Sequence, residues 1–211
     1  MALLASDKGG SGNFEPLPAG TYTARCVTVV DIGIQQSPWG GKEKVYIGFE
    51  VPEERVKWEK EGKEHEGPAI IGSRYTLSIH PDSNLGQHLL SWRGKPFTDE
   101  ERAGFDLFTV LGAPCMISVT HSTKGDKTYA NIAAIMRLPK GAECPPAETE
   151  LLAYTPNDPE KAANLSKLPE WLQKLCAEGH GQQQHSAPPP APTGDVPPTP
   201  EGDYFDDDIP F

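Results

Sequence analysis

Nothing in this sequence pairs cysteines as a metal site or redox motif does. Cys26, Cys115, Cys144 and Cys176 are widely spaced, with no Cys-x-x-Cys among them. Closed zinc sites draw on paired ligands, so no metal is expected. Dispersed single cysteines read as small buried residues, although spacing alone does not exclude disulfides. Long hydrophobic runs are missing too. None approaches the ~20 residues that cross a bilayer, and the apolar part of the Met1–Gly9 stretch is too short for a signal peptide. Without a secretory signal, the sequon Asn164-Leu165-Ser166 is read as chance. The expectation is a cytoplasmic protein that does not associate with membranes.

Catalytic motifs are absent as well. Gly40-Gly41-Lys42 lacks the spacing of a phosphate-binding loop. Gly9-Gly10-Ser11-Gly12 has Asn13 where a nucleophile elbow needs its second glycine. Glu64-His65-Glu66 has no second histidine at helical spacing. His80, His88 and His121 are joined by no motif and read as surface or packed residues. Neither an enzyme activity nor a cofactor is expected.

What the chain does have is proline, glycine and acid. Its 211 residues include 22 prolines and 21 glycines, too many for a fully packed protein, so part of it is expected to be disordered. The formal net charge is −11, but it is unevenly spread. Residues 178–211 hold seven carboxylates and no Lys or Arg, which leaves the first 177 with 19 basic and 23 acidic groups. The body is close to balanced, and a local basic groove is compatible with it.

Residues 1–19 read as a flexible leader. Residues 20–140 carry strand chemistry. Thr21–Asp31 is rich in β-branched residues, and Gln35–Lys42 breaks it with turn residues. Lys44–Val51 alternates, placing Val45, Ile47, Phe49 and Val51 on one face and Lys44, Tyr46 and Glu50 on the other. Pro52 is expected to end that strand. Residues 53–67 hold six Glu against four Lys or Arg, a solvated excursion that forms either a short helix or a long hairpin. Arg74–His80 resumes alternation, with Tyr75, Leu77 and Ile79 inward. Two helical stretches follow, a weaker one over Ser83–Trp92 and a stronger one from Thr98 to about Gly112. The second opens on a Thr98/Glu101 capping box, with Phe105, Phe108 and Leu111 as its apolar face. Cys115–His121 and Thr128–Leu138 are two further strands joined by a tight turn. Residues 141–177 form an extension with short helices starting near Asp158 and Pro169. Trp92 and Trp171 are expected in the core. Residues 178–203 form a Pro/Gln/Gly-rich linker, and residues 204–211 an acidic tip.

Five strands with a helix between the third and fourth is the order of an OB-fold, a five-stranded Greek-key barrel. The expected class is therefore mainly β, with a disordered acidic tail; a mixed α+β sandwich also fits the pattern.

The tip reads Tyr204-Phe205-Asp206-Asp207-Asp208-Ile209-Pro210-Phe211. Three adjacent carboxylates keep it in water, and Pro210 favours an extended backbone. Ile209 and Phe211 have no place in a purely solubilising tail; they suit a partner offering an apolar slot rimmed by basic residues. Asp206 to Phe211 resembles the tip of bacterial single-stranded DNA-binding proteins. More diffusely, the Gly20–Val51 and Leu111–Pro139 stretches resemble bacteriophage or prophage counterparts of that family. The resemblance implies that the tip recruits replication, recombination and repair proteins, and that the body coats single-stranded DNA. It also implies a bacterial cytoplasm as the compartment. Oligomeric state is left open, a homo-oligomer included. The linker spans roughly 30 Å as a flexible chain, so the tip can reach partners beside a bound strand or fold back and compete with it.

Sequence-tolerant binding needs aromatic faces for bases and Lys or Arg for phosphates. The outward face of the second and third strands offers Lys44, Tyr46 and Arg74. The preceding loop adds Trp39 and Lys42, the last hairpin adds Lys124, Lys127 and Tyr129, and Arg25 joins from the first strand. Tyr46 can equally cover the barrel, and Trp39 can close one end of it. Trp58 either stacks on DNA or folds onto the barrel. The rivals are an interaction protein that displays the tip as a decoy without binding DNA, and a recombination annealing protein.

Overall fold

The computed structural model describes residues 16–38, 40–60 and 63–183. Six strands form one sheet: β1 Gly20–Gln35, β2 Lys42–Lys60, β3 Lys63–Thr76, β4 Pro114–Lys124, β5 Lys127–Met136 and the short β6 Leu152–Tyr154. The first five run antiparallel in the order β3-β2-β1-β4-β5 and curl into a half-barrel. β1 is the hinge of this arrangement. Along one edge it pairs with β4 over Gly20–Arg25 and then, in parallel, with β6 over Thr28–Val30. Its other edge pairs with β2 from Arg25 to Gln35.

The alternation read from β2 sets the concave core. Val45, Ile47, Phe49 and Val51 are all buried, together with Ala24, Cys26, Ile71, Tyr75 and Ile117 from neighbouring strands. One end is closed by α1, Asn84–Arg93, through Leu85, Leu89 and Trp92. Ser83 caps α1 by accepting from Gly86 N at 3.0 Å, and Gly94 ends it in the left-handed conformation at φ 66°.

The two helical stretches are the reverse of the expectation. The stretch read as weaker is the ten-residue α1. The one read as stronger has its capping box but yields only α2, Asp99–Ala103, and a 3-10 turn at Leu107–Val110. Gly104 and Asp106 interrupt it, so Phe105 and Phe108 do not form a continuous helical face. Pro52 does not end β2 either. It lies in a bulge where Val51 pairs with Ala69 and Arg55 with Pro68, a place where a missing N–H costs no ladder bond. Residues 53–67 therefore belong to a long hairpin arm. β3 lies earlier than expected and stops at Thr76, which leaves Leu77 exposed.

The larger correction concerns the convex face. Polar residues on β2 led to the expectation of a solvated surface, yet Tyr46 is 9 % exposed and Glu50 fully buried. The extension covers them. α3, Lys161–Lys167, and α4, Glu170–Gln183, pack with β6 into a second core of Val30, Ile32, Tyr46, Tyr154, Leu172 and Cys176. Leu172, Cys176 and His180 recur at helical spacing and place one face of α4 on β1. Trp171 falls off that face and is 48 % exposed, not core. α4 also runs to Gln183, past the point where the linker was expected to begin. Two charged residues tie the intervening segment down. Arg25 donates to the carbonyls of Gly112, Cys144 and Pro145 at 2.6–2.8 Å. Glu50 accepts from Glu148 N at 3.0 Å and Thr149 N at 2.8 Å. All four cysteines are free thiols, and no described helix is long and apolar enough to cross a membrane.

Candidate functional site

β3 and β5 are the two ends of the curled sheet, and two grooves lie in succession along the open side between them. The first, about 740 Å³, takes Ser73–Thr76 from β3 and Ile132–Ala133 from β5. The second, about 550 Å³, takes Ala69–Gly72 from β3 and Thr128–Ala130 from β5. From Ala69 to Thr76 the trough is roughly 23 Å long at ~3.3 Å per residue.

Lys42, Lys44 and Arg74 all line the first groove, so three of the residues singled out from sequence converge there. Their strands explain it. Lys42 opens β2, Lys44 pairs with Thr76, and Arg74 pairs with Tyr46 two positions further along the same ladder. None of the three cations takes part in an ion pair among the described residues. The one carboxylate lining the groove, Asp82, lies 3.5 Å from His80. The wall also holds His88, which bonds the hydroxyl of the buried Tyr75 at 3.0 Å. Burial lowers the His88 pKa below its ordinary 6.5, against an opposing bond to the Ala133 backbone. The groove is thus cationic on its β2–β3 side, with a single carboxylate, Asp82, toward its α1 end.

The second groove is more apolar and carries the aromatic. Tyr129 is 46 % exposed there, across from Ile70 at 47 %. Lys124 and Lys127 pair at the neighbouring tip of the β4–β5 hairpin, around Gly125 at φ 61°, but line neither groove.

No family model and no curated protein matches this chain.

The remaining residues read from sequence lie elsewhere. Arg25 spends its guanidinium on the carbonyls of Gly112, Cys144 and Pro145 and lines neither groove. Tyr46 lies flat over Gly48 and Gly72, neither of which leaves room for a side chain beneath its ring. Trp171 meets it edge-on at 5.1 Å between centroids, and burial pushes the phenol up to about 12. A ring so covered offers no face to a base. Trp39 and the tip residues Asp206, Asp207, Asp208, Ile209, Pro210 and Phe211 lie outside the described residues. Sequence reading found Tyr129 on β5 but missed the share of Ile132–Ala133 and of α1 in the first groove, because segments distant in the chain meet there. Among the described residues no group of three or more His, Cys, Asp or Glu could hold a metal ion.

Proposed function

We propose that this protein binds single-stranded DNA without sequence preference, along the open side of its half-barrel. The carrying observation is the convergence of Lys42, Lys44 and Arg74, unpaired, on one groove that runs on toward the exposed ring of Tyr129. Phosphates suit the first and bases the second. The strand order, with helices between β3 and β4, is compatible with an OB-type barrel, a fold that commonly binds single strands. On this reading the chain coats DNA in a bacterial cytoplasm, with a phage as one source, and its 204–211 segment recruits replication or repair enzymes.

Titration of the full chain with oligo-dT tests the reading. Affinity falls with salt, with a log–log slope of about −0.7 per phosphate neutralised, so three contacts give a slope near −2. Lys44→Ala and Arg74→Ala each shallow it by about 0.7. A salt-independent interaction, or no interaction, sinks the proposal. The burial of Tyr46, the aromatic read from sequence on the same strand face as Lys44, favours a second reading: a decoy that displays its 204–211 segment to host enzymes and binds no DNA. Retained partner binding without any oligonucleotide binding selects the decoy.

A further inference from the structure

The hairpin arm beyond the bulge is two-sided in a way its composition conceals. With Arg55 opposite Pro68, the ladder pairs Val56 with Gly67, Lys57 with Glu66 and Trp58 with His65, and continues to Lys60 with Lys63. Side chains alternate across a ribbon, and directly paired residues share a face. One parity therefore holds Val56, Trp58, His65 and Gly67. None of these four is acidic, and Glu54 lines the second groove beside Val56. The opposite parity holds Arg55, Lys57, Glu64 and Glu66, and there Glu66 sits 3.7 Å from both Arg55 and Lys57. Four charged residues of the arm, Arg55, Lys57, Glu64 and Glu66, thus share one face.

On the other face the rings of Trp58 and His65 stack at 5.8 Å with an interplanar angle of 16°. Gly67 makes room for them, since a side chain there would meet the Trp58 ring at 3.0 Å. Trp58 remains 37 % exposed. An exposed indole held by a stacking partner and a glycine is a preset aromatic platform. It is also continuous with the trough. β3 keeps its parity without interruption from His65 through Gly67 and Ala69 to Ile71, and Val56 lines the second groove with Tyr129.

We infer that this face of the arm extends the trough as a second station for single-stranded nucleic acid, with Trp58 stacking a base. The inference rests on the single-strand reading above. Trp58 pairs with His65, four β3 residues beyond Ala69 at the end of the trough, roughly 13 Å at ~3.3 Å each, so a short strand lodged in the trough does not reach it and a longer one does.

The test compares oligo-dT of about 4 and about 16 nucleotides, the limits of typical site sizes for such barrels. It uses the full-length protein, Trp58→Ala and Trp58→Phe, with thermal midpoints confirming that the variants are folded. The wild type binds the longer strand more tightly. Trp58→Ala weakens binding of the longer strand about five- to hundredfold, the usual cost of one lost base stack, and leaves the shorter one unchanged. Trp58→Phe restores most of the difference. Unchanged affinity of Trp58→Ala for the longer strand overturns the inference and leaves the trough reading standing. Equal weakening for both lengths also overturns it, since Trp58 then belongs to the trough or to the fold. Failure of the wild type to bind either oligonucleotide removes both readings together.

Discussion

At the scale of single residues, the chain uses charge in two opposed ways. Arg25 and Glu50 are internal fasteners, satisfied by backbone groups alone, whereas Lys42, Lys44 and Arg74 are left unpaired toward a groove. Residue type does not separate these roles; the partner does, and the partners of Arg25 lie 87 to 120 positions away. That distance is why sequence placed Arg25 among the DNA contacts. His88 shows the same dependence on surroundings. Its folded pKa lies below the 6.5 of the free side chain because burial disfavours the cation. As pH falls below about 6.5, the unfolded chain takes up a proton that the folded one resists, so stability is lost with acidity. The thermal midpoint is expected to decline between pH 7 and pH 5, and more shallowly in His88→Gln, whose amide still accepts from Tyr75. Equal slopes for the two proteins would rule His88 out as the source.

At the scale of elements, the docking of α4 on β1 depends on close backbone approach. A side chain on Gly179 would meet the carbonyl oxygen of Ile32, and one on Gly33 would come within 2.6 Å of the Gly179 carbonyl carbon. Gly33 also has φ 65°, a conformation that L residues rarely adopt. Gly179→Ala improves intrinsic helix propensity by about 1 kcal/mol. The backbone collision opposes this with an overpacking cost of about 1–3 kcal/mol or more, and here the cost wins. Denaturant titration should show a net loss of stability, with Trp171 fluorescence reporting displacement from Tyr46. The elements were legible in proportion to their local signal. Alternation gave β2 its buried residues, and the turn chemistry located the β4–β5 hairpin. The length of the arm was hidden by Pro52, which sits where a bulge tolerates it. The α2 stretch ranked above α1 on its capping box and on an apolar face of Phe105, Phe108 and Leu111, while tertiary burial of Leu85, Leu89 and Trp92 decides which one is long.

For the whole molecule, the consequence is that residues 141–183 are not an appendage. They supply β6 to the central sheet and half of the second core. A protein cut back to residues 20–140 exposes Val30, Ile32 and Tyr46, at ~1.5–3 kcal/mol each, or roughly 5–9 kcal/mol together. That is comparable with the whole stability of an ordinary domain. We expect the 20–140 fragment to be aggregated or largely unfolded and a 1–183 fragment to melt cooperatively, as followed by circular dichroism. A soluble, cooperatively melting 20–140 fragment would show the second core to be dispensable. Composition placed a boundary near residue 140, because apolar residues thin out there; of those that remain, Tyr154, Leu168, Leu172 and Cys176 are buried.

The open side of the sheet carries a last implication, for exchange with solvent. β3 and β5 each have one edge that no described strand occupies, so alternate amides along Ala69–Thr76 and Thr128–Ala133 lack ladder partners. In the free protein those amides should trade hydrogen for deuterium quickly, while the amides of Thr28–Val30 in β1, paired on both sides, trade slowly. A molecule lying in the trough would write its footprint as slowed exchange along those two edges.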